Sequence, residues 1–360
     1  DDAQPFHYID SIGFIDIMKG LCIIIVVLQH SDLLPGEVDG LFTRACKSFH
    51  MPMFFFVTGL FLPVGRKLPD MLTDRFNRLL LPWLVFAIVG GIIIDVCVRH
   101  NFVRLADVHA YAGWLVYGPN VPLYFLRALF ISTVLAWLVA RVCPTLVQRI
   151  GVMMILCALS WAAMMLSPRI GNMPYLPKMA LDMVTVREVC GMLMYMWGGV
   201  LVTSMSALVR MKVSRRAGLA IFVAAVIVIA LIDPPVMRWH YMEAQGPWLP
   251  ITAAAVCGIA AIWGLSCLLD GFLPLRLAGE YSLVILVTHY IILYAMVYGF
   301  NLDKHMAGAI TIALLPAAVY AVRRWLPWAC AARPLVCWRD GRLHINFPSS
   351  AEKKRRKTGA

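Results

Sequence analysis

The sequence predicts an all-α, polytopic membrane protein with about ten transmembrane helices and with both termini in the cytoplasm. Of its 360 residues, 61% are hydrophobic and only 14% are charged, and the mean hydropathy is +0.76. This composition excludes an ordinary soluble globular domain. The apolar residues also occur in runs long enough to cross a hydrocarbon core of roughly 30 Å as helices of about 20 residues.

Each predicted span is an apolar run that polar residues separate from the next. The first includes eight consecutive apolar residues, Leu21 to Leu28, and acidic rather than basic residues precede it, so we expect it to remain in the mature protein rather than to be cleaved as a signal. We expect one domain over residues 1–322 and a basic interfacial segment and tail over residues 323–360. The ten spans, in order, are residues 12–31, 46–62, 79–97, 122–140, 150–167, 184–209, 217–233, 249–269, 278–299 and 306–322.

The positive charge follows the predicted topology. The chain has a net charge of +12, and 21 of its 32 Lys and Arg residues lie in the connections after spans 2, 4, 6 and 8 or in the tail from Arg323. Cytoplasmic loops of membrane proteins carry this excess, so we expect both termini in the cytoplasm. The terminal "KKRRK" (Lys353 to Lys357) is typical of a contact with anionic lipid, and we expect no nucleic-acid partner.

The ten cysteines show no metal-binding or redox pattern. There is no CxxC and no combined His and Cys spacing, and most of the cysteines fall inside apolar spans. Buried free cysteines behave as small hydrophobic residues, so we expect neither a metal site nor disulfides. We also expect no bound cofactor.

The first span carries an acid, a base and a histidine that a simple anchor does not need. Lys19 and His30 are 11 positions apart, which corresponds to about 16.5 Å of rise and about 1100° of rotation, so both project from nearly the same face of one helix. Asp16 lies about one turn before Lys19 on that face. Charged residues within a span are usually paired, face a cavity or have a function. We assign Asp16 to fixing Lys19.

These positions suggest a long ligand. Lys19 is expected near the cytoplasmic edge and His30 toward the opposite side, so a ligand that contacts both is anionic at one end and reactive at the other. Acyl-coenzyme A has this shape, and His30 is the candidate general base because histidine titrates near neutral pH. In the alternative interpretation, Lys19 pairs with Asp16 and reaches the headgroups, while His30 ends the span at the far interface.

Six segments, in this order along nearly the whole chain, resemble the membrane acyltransferase-3 family. They are "DIMKG" with the following His30, "SFHMPMFFFVTGLFL", "RFNRLLLPW", "LYFLRALF", "REVCGMLMYMWGGVL" and "LAGEYSLVILVTH". The family has an acidic residue, a basic residue and Gly ahead of a His, an FHMP-aromatic segment in its second span, and R-x-x-R before a Pro-led third span. Lys19 stands where Arg is commoner in the family.

The resemblance implies a membrane-embedded O-acyltransferase. Family members move an acyl group, most often acetyl, from cytoplasmic acyl-CoA to a hydroxyl, usually on a sugar of a surface polysaccharide or a lipid-linked oligosaccharide. Acetyl-CoA is then a co-substrate, exopolysaccharide an acceptor and the polysaccharide assembly machinery a partner. Succinyl transfer to a periplasmic glucan is one alternative. A transporter or flippase of glycans or acyl groups is another, although such proteins are expected to show inverted repeats, and the sequence has no internal self-similarity.

Several other polar residues are candidates for the same site. We expect His50 and Gln29 near His30, because the second span begins on the side where the first ends; a hydrogen-bonded interfacial His50 is the alternative. We expect Arg75 and Arg78 in a cytoplasmic loop, where the resemblance and their charge suggest a site for coenzyme A phosphates. The positive-inside bias alone would also put them there.

Polar residues of three later spans complete the set. Arg127 lies inside the fourth span and Arg187 near the start of the sixth, where a guanidinium is expected to face a polar cavity. Ser282 and His289 are seven residues apart in the ninth span, so they share a face that we expect to line the cavity from its cytoplasmic half. His289 is a candidate second catalytic or proton-relay group, with a satisfied core histidine as the alternative.

Overall fold

The fold was obtained as a computed structural model that describes residues 12–34, 40–93, 123–171, 180–205, 213–239, 243–330, 332–339 and 341–346. Within these residues the α-helices are α1 (Ile12–His30), α2 (Leu41–Leu60), α3 (Leu68–Arg75), α4 (Leu81–Ile93), α5 (Tyr124–Val142), α6 (Leu146–Gly171), α7 (Ala180–Ser204), α8 (Arg215–Ile232), α9 (Trp248–Leu268), α10 (Leu273–Glu280), α11 (Ser282–Tyr294) and α12 (Lys304–Trp325). Two π-helical turns, Phe76–Leu80 and Ala295–Gly299, join α3 to α4 and extend α11. Two short antiparallel hairpins pair β1 (Met237–Arg238) with β2 (Glu243–Ala244) and β3 (Val336–Arg339) with β4 (Arg342–Ile345).

The prediction of an all-α polytopic membrane protein is confirmed. Among the described residues, eight helical segments are long and apolar enough to cross a membrane. The other two predicted spans correspond to α2 and α7, which have 20 and 25 residues. Residues 94–97, 122 and 206–209, which belong to the predicted third, fourth and sixth spans, lie outside the described residues, as do the two termini and the "KKRRK" tail.

Three of the predicted spans differ from the helices by five residues or more at their start or contain a break. The second helix begins at Leu41 rather than at residue 46, and the third helical segment begins at Leu68 rather than at residue 79. The ninth predicted span, residues 278–299, is broken at Tyr281, where α10 ends and α11 begins. Hydropathy marks only apolar content, whereas backbone hydrogen bonding continues a helix into polar flanking residues and can change its direction inside an apolar run.

Helix α1 is the central element of the fold. It contacts α2, α9, α10, α11 and α12, and Ile17, Met18 and Ile23 of α1 are fully buried. Its closest neighbour is α10, because a Cβ atom at Gly279 would overlap the backbone carbonyl of Asp16. Two glycines, Gly20 of α1 and Gly279 of α10, therefore let the two backbones touch beside the polar end of the first span.

The segment after the last span contains secondary structure that the sequence analysis did not predict. Helix α12 continues to Trp325, three residues beyond the predicted end of the tenth span. The β3–β4 hairpin then folds back and contacts α3. Part of the predicted interfacial segment thus packs against the helical domain.

Candidate active site

The last residue of α1, His30, faces a second histidine on α11. The ring centroids of His30 and His289 are 5.4 Å apart, with an interplanar angle of 37°. The end of α10 lies against Asp16, near the start of α1, whereas His289 on α11 lies against His30, the last residue of α1. Helices α1 and α11 therefore run in the same direction. The sequence analysis expected His289 in the cytoplasmic half of the cavity, but the structure pairs it with His30 at the other end of α1.

The surroundings of His289 define its tautomer. The ring is fully buried, and its Nδ1 atom lies 2.9 Å from the backbone carbonyl oxygen of Ile285. A carbonyl only accepts hydrogen bonds, so Nδ1 must carry the proton and donate it. The Nε2 atom is buried and has no hydrogen-bond partner among the described residues. In the neutral ring this Nε2 atom carries a free lone pair, as a general base or a proton acceptor requires.

Three tyrosines continue this site along α11, and the sequence analysis did not single them out. The ring of Tyr290 makes an edge-to-face contact with His30, at a centroid distance of 5.4 Å. Its hydroxyl donates to the Tyr294 hydroxyl at 2.8 Å, and the Tyr294 ring lies 5.0 Å from that of Tyr298. The sequence did carry a signal for these tyrosines, because they are spaced four residues apart and residues at that spacing share a helix face. The side chain of Tyr298 is 57% exposed, so the stripe leads from the histidine pair to the surface.

An ion pair closes the same end of the site. Lys304, the first residue of α12, binds Asp32 just after α1, with Nζ and Oδ2 2.5 Å apart. Lys304 also lies within electrostatic range of His30, as do His289 and His50. The end of α1 that carries His30 thus brings one ion pair together with three histidines.

His50 and Gln29 lie where the first two helices adjoin. His50 is buried in α2, and its Nδ1 atom donates to the Cys46 carbonyl oxygen at 2.8 Å, which leaves Nε2 unprotonated in the neutral ring. Gln29 is half-buried in the last turn of α1. The ring contacts of His30, however, come from His289 and Tyr290. Helix α11 thus supplies neighbours that the sequence analysis sought in α2.

The other end of α1 carries a close ion pair. The Nζ atom of Lys19 lies 2.6 Å from Oδ1 of Asp16, and the carboxylate side chain is 9% exposed whereas that of Lys19 is 27% exposed. The buried acid orients the lysine, because a buried carboxylate is costly without a cation. The contact of Gly279 with the Asp16 backbone holds this turn of α1 in place. Lys19 is therefore a fixed, accessible cation about three turns from His30.

Arg75 and Arg78 are helical rather than in a loop, which corrects the sequence analysis. Arg75 is the last residue of α3, and Arg78 lies in the π-helical turn that follows. The Nε atom of Arg78 donates to Oδ1 of Asp74 at 2.9 Å. The Arg75 side chain is 15% exposed and that of Arg78 is 58% exposed. The guanidinium of Arg78 is therefore more accessible to a ligand than that of Arg75.

The remaining candidates are distributed over three helices. The guanidinium of Arg127, in the first turn of α5, lies 5.9 Å from the ring centroid of Trp83 on α4, a cation–π distance. Arg187 and Glu188 are both buried in α7. Ser282 is half-buried at the first position of α11. Ser282 therefore shares its helix with His289 but not the histidine end of that helix.

A family model described as "Acyltransferase domain" matches residues 12–324. The match begins at the first residue of α1, reaches the last turn of α12 and ends before the β3–β4 hairpin. No curated protein and no solved structure matches the chain.

Proposed function

Because the chain belongs to the acyltransferase-3 family and is a multi-pass membrane protein, we propose that it transfers an acyl group from cytoplasmic acyl-CoA to a glycan hydroxyl. The acyl group is acetyl, and the acceptor is a cell-surface or lipid-linked glycan such as exopolysaccharide. The enzyme acts in the bacterial inner membrane and uses acetyl-CoA as a co-substrate.

One observation carries this proposal: His30 is paired with His289 at one end of the helix whose other end bears Lys19. A donor with an anionic nucleotide end and a distant thioester suits two groups separated in this way. Lys19 is held by Asp16, and Arg75 and Arg78 supply further positive charge for the coenzyme A phosphates. Arg127, Arg187 and Ser282 are proposed to line the route between the two ends.

In the proposed reaction, His30 removes the proton of the glycan hydroxyl while the hydroxyl oxygen attacks the thioester carbonyl carbon. The carbon–sulfur bond then breaks, and His30 returns the proton to the departing thiolate, so that coenzyme A leaves as a free thiol. A positioned general base contributes roughly 10²–10⁴-fold to such a step. His289 and His50 are the proposed relay groups, because the Nε2 atom of each has a lone pair in the neutral ring.

The acceptor is proposed to enter from the tyrosine end. Tyr290 contacts His30, whereas Tyr298 is exposed. Aromatic rings with hydroxyl groups present both an apolar face and a hydrogen-bonding edge, which suits a sugar ring. The donor and the acceptor then reach His30 from opposite ends of α1.

The donor side is tested by thiol release from acetyl-CoA and succinyl-CoA by the purified protein in nanodiscs. Lys19→Ala is expected to raise the KM for acetyl-CoA about tenfold, a ratio that corresponds to about 1.4 kcal/mol. Lys19→Arg is expected to keep a KM near that of the wild type, because it retains the positive charge. Arg216→Ala, which removes a positive charge from an exposed residue of α8, is the matched control.

Two results would contradict the proposal. A wild-type protein that neither releases thiol nor is stabilised thermally by acetyl-CoA would favour the transporter hypothesis. A preference for succinyl-CoA would support an acyltransferase activity, but with succinyl rather than acetyl as the transferred group.

A further inference from the structure

The β3–β4 hairpin lies outside the segment that matches the family, yet it is bound to the Arg75–Arg78 turn. The match ends at residue 324, whereas the hairpin begins at Val336. Its anchor on the helical domain is Asn77, which lies between the two arginines and is 3% exposed. The contact joins residues 258 and 259 positions apart in the chain.

The Asn77 side chain uses its full hydrogen-bonding capacity. Its Nδ2 atom donates to the carbonyl oxygens of Thr73 and Val336, each at 2.6 Å. Its Oδ1 atom accepts from the backbone N–H groups of Leu335 at 2.9 Å and Val336 at 3.0 Å. A primary amide has two donor hydrogens and two acceptor lone pairs, so none is left over. Such a side chain is held in one orientation, and it ties the hairpin to one register on the turn.

The hairpin also forms one wall of a cleft in which Arg78 lies. The cleft has a volume of about 240 Å³. Its helical wall includes the carboxylates Asp70 and Asp74 together with Asn77 and Arg78, and the hairpin wall includes Val336 and Trp338. The backbone here is a π-helical turn, a geometry that is often found at functional sites and that changes the direction of the side chains around it. The direction in which the Arg78 side chain points therefore depends on the contact that Asn77 makes with the hairpin.

We propose that the β3–β4 hairpin is part of the donor site of this enzyme and that Asn77 is the positioning residue that couples it to Arg75 and Arg78. The hairpin holds the turn so that the guanidinium groups meet the phosphates of acyl-CoA, and Asn77 itself does not touch the donor. This inference rests on the proposed function, because it assigns acyl-CoA phosphates to Arg75 and Arg78.

The test measures KM and kcat for acetyl-CoA, by thiol release, in Asn77→Ala and in a matched control. Asn346→Ala serves as the control, because Asn346 lies just beyond β4, is exposed and, among the described residues, hydrogen-bonds through its side chain to Cys337 Sγ at 3.4 Å. We expect Asn77→Ala to raise KM about tenfold while kcat stays within about twofold. Asn346→Ala is expected to leave both constants near the wild-type values.

A double-mutant cycle with Arg78→Ala separates positioning from general destabilisation. If Asn77 acts through Arg78, Asn77→Ala adds little to the KM of Arg78→Ala, so the effects of the two substitutions are not additive. A lower melting temperature with an unchanged KM, or fully additive effects on KM, would overturn the inference.

Different results would refute this inference and the proposed function. If Arg75→Ala and Arg78→Ala raise KM but Asn77→Ala does not, only the role of Asn77 is wrong. If none of the three substitutions changes KM, the assignment of the donor site itself is wrong, and the inference falls with it.

Discussion

His30 and His289 differ in how exposed their rings are. His289 is fully buried on α11, and its ring contacts His30 and Tyr290. His30 is half-buried at the end of α1, beside the Asp32–Lys304 ion pair. The base that meets the substrate is therefore assigned to the more accessible His30. His289, with a free Nε2 atom, is suited to receive a proton briefly or to orient the acceptor.

The role of His289 is separated from its packing by two amide substitutions. In His289→Asn, the amide nitrogen can still donate to the Ile285 carbonyl as Nδ1 does, but no atom replaces Nε2. In His289→Gln, the amide instead reaches the Nε2 position without being a base. We expect both variants to fold and to lower kcat at saturating acetyl-CoA by about 10²-fold or more. A wild-type kcat in His289→Asn, with an unchanged melting temperature, would make His289 a packing residue.

At the scale of elements, the contact of α1 with α10 determines where Lys19 lies. Gly20 and Gly279 bring the two backbones together, and a side chain at either position would meet a backbone carbonyl of the other helix. Backbone atoms in two packed helices cannot give way as the end of a flexible side chain can. The glycines therefore fix the turn of α1 that carries Asp16 and Lys19.

The cost of this contact is tested by adding a single methyl group. Gly279→Ala is expected to destabilise the protein by about 1–3 kcal/mol or more, since overpacking strains both helices. Gly151→Ala is the matched control, because this glycine lies in α6 and a Cβ atom there has nothing within 4 Å. It is expected to be neutral or slightly stabilising. Equal melting temperatures for the two variants in nanodiscs would show that α1 and α10 are not in close contact.

Hydropathy predicted the elements well and their junctions poorly. The spans of α8 and α9 agree with the prediction to within about two residues, because charged or polar residues bound both apolar runs. The break at Tyr281 was missed although Glu280 and Ser282 flank it, because both were counted as polar residues within one apolar span. The β3–β4 hairpin escaped prediction because its strands have only four residues each and their partner, Asn77, is about 260 residues away.

At the scale of the whole molecule, composition was enough to predict the fold class. The site could not be predicted in the same way, because it is built by long-range contacts. The spacing within one helix was enough to put Asp16, Lys19 and His30 on a common face, and Asp16 and Lys19 do form an ion pair. Spacing within a helix cannot reveal that α11 brings His289 to His30 from 259 positions away. That contact depends on how the helices pack around α1, which no local pattern encodes.

The packing places α1 between the two ends of the proposed reaction path. One end of α1 has the Asp16–Lys19 pair, and the other has histidines, tyrosines and the Asp32–Lys304 pair. A single helix thus connects a donor end to a reactive end. The general base at its last residue is the central claim of this account.

That claim is tested most directly by thiol release from acetyl-CoA in nanodiscs, with and without a polysaccharide extract of the host, for the wild type and His30→Ala. His305→Ala, an exposed histidine of α12, is the control. We expect His30→Ala to lose about 10²-fold or more of the extract-dependent rate while it still binds acetyl-CoA and keeps its melting temperature. A folded His30→Ala protein that releases thiol at the wild-type rate would contradict the assignment of His30 as the base.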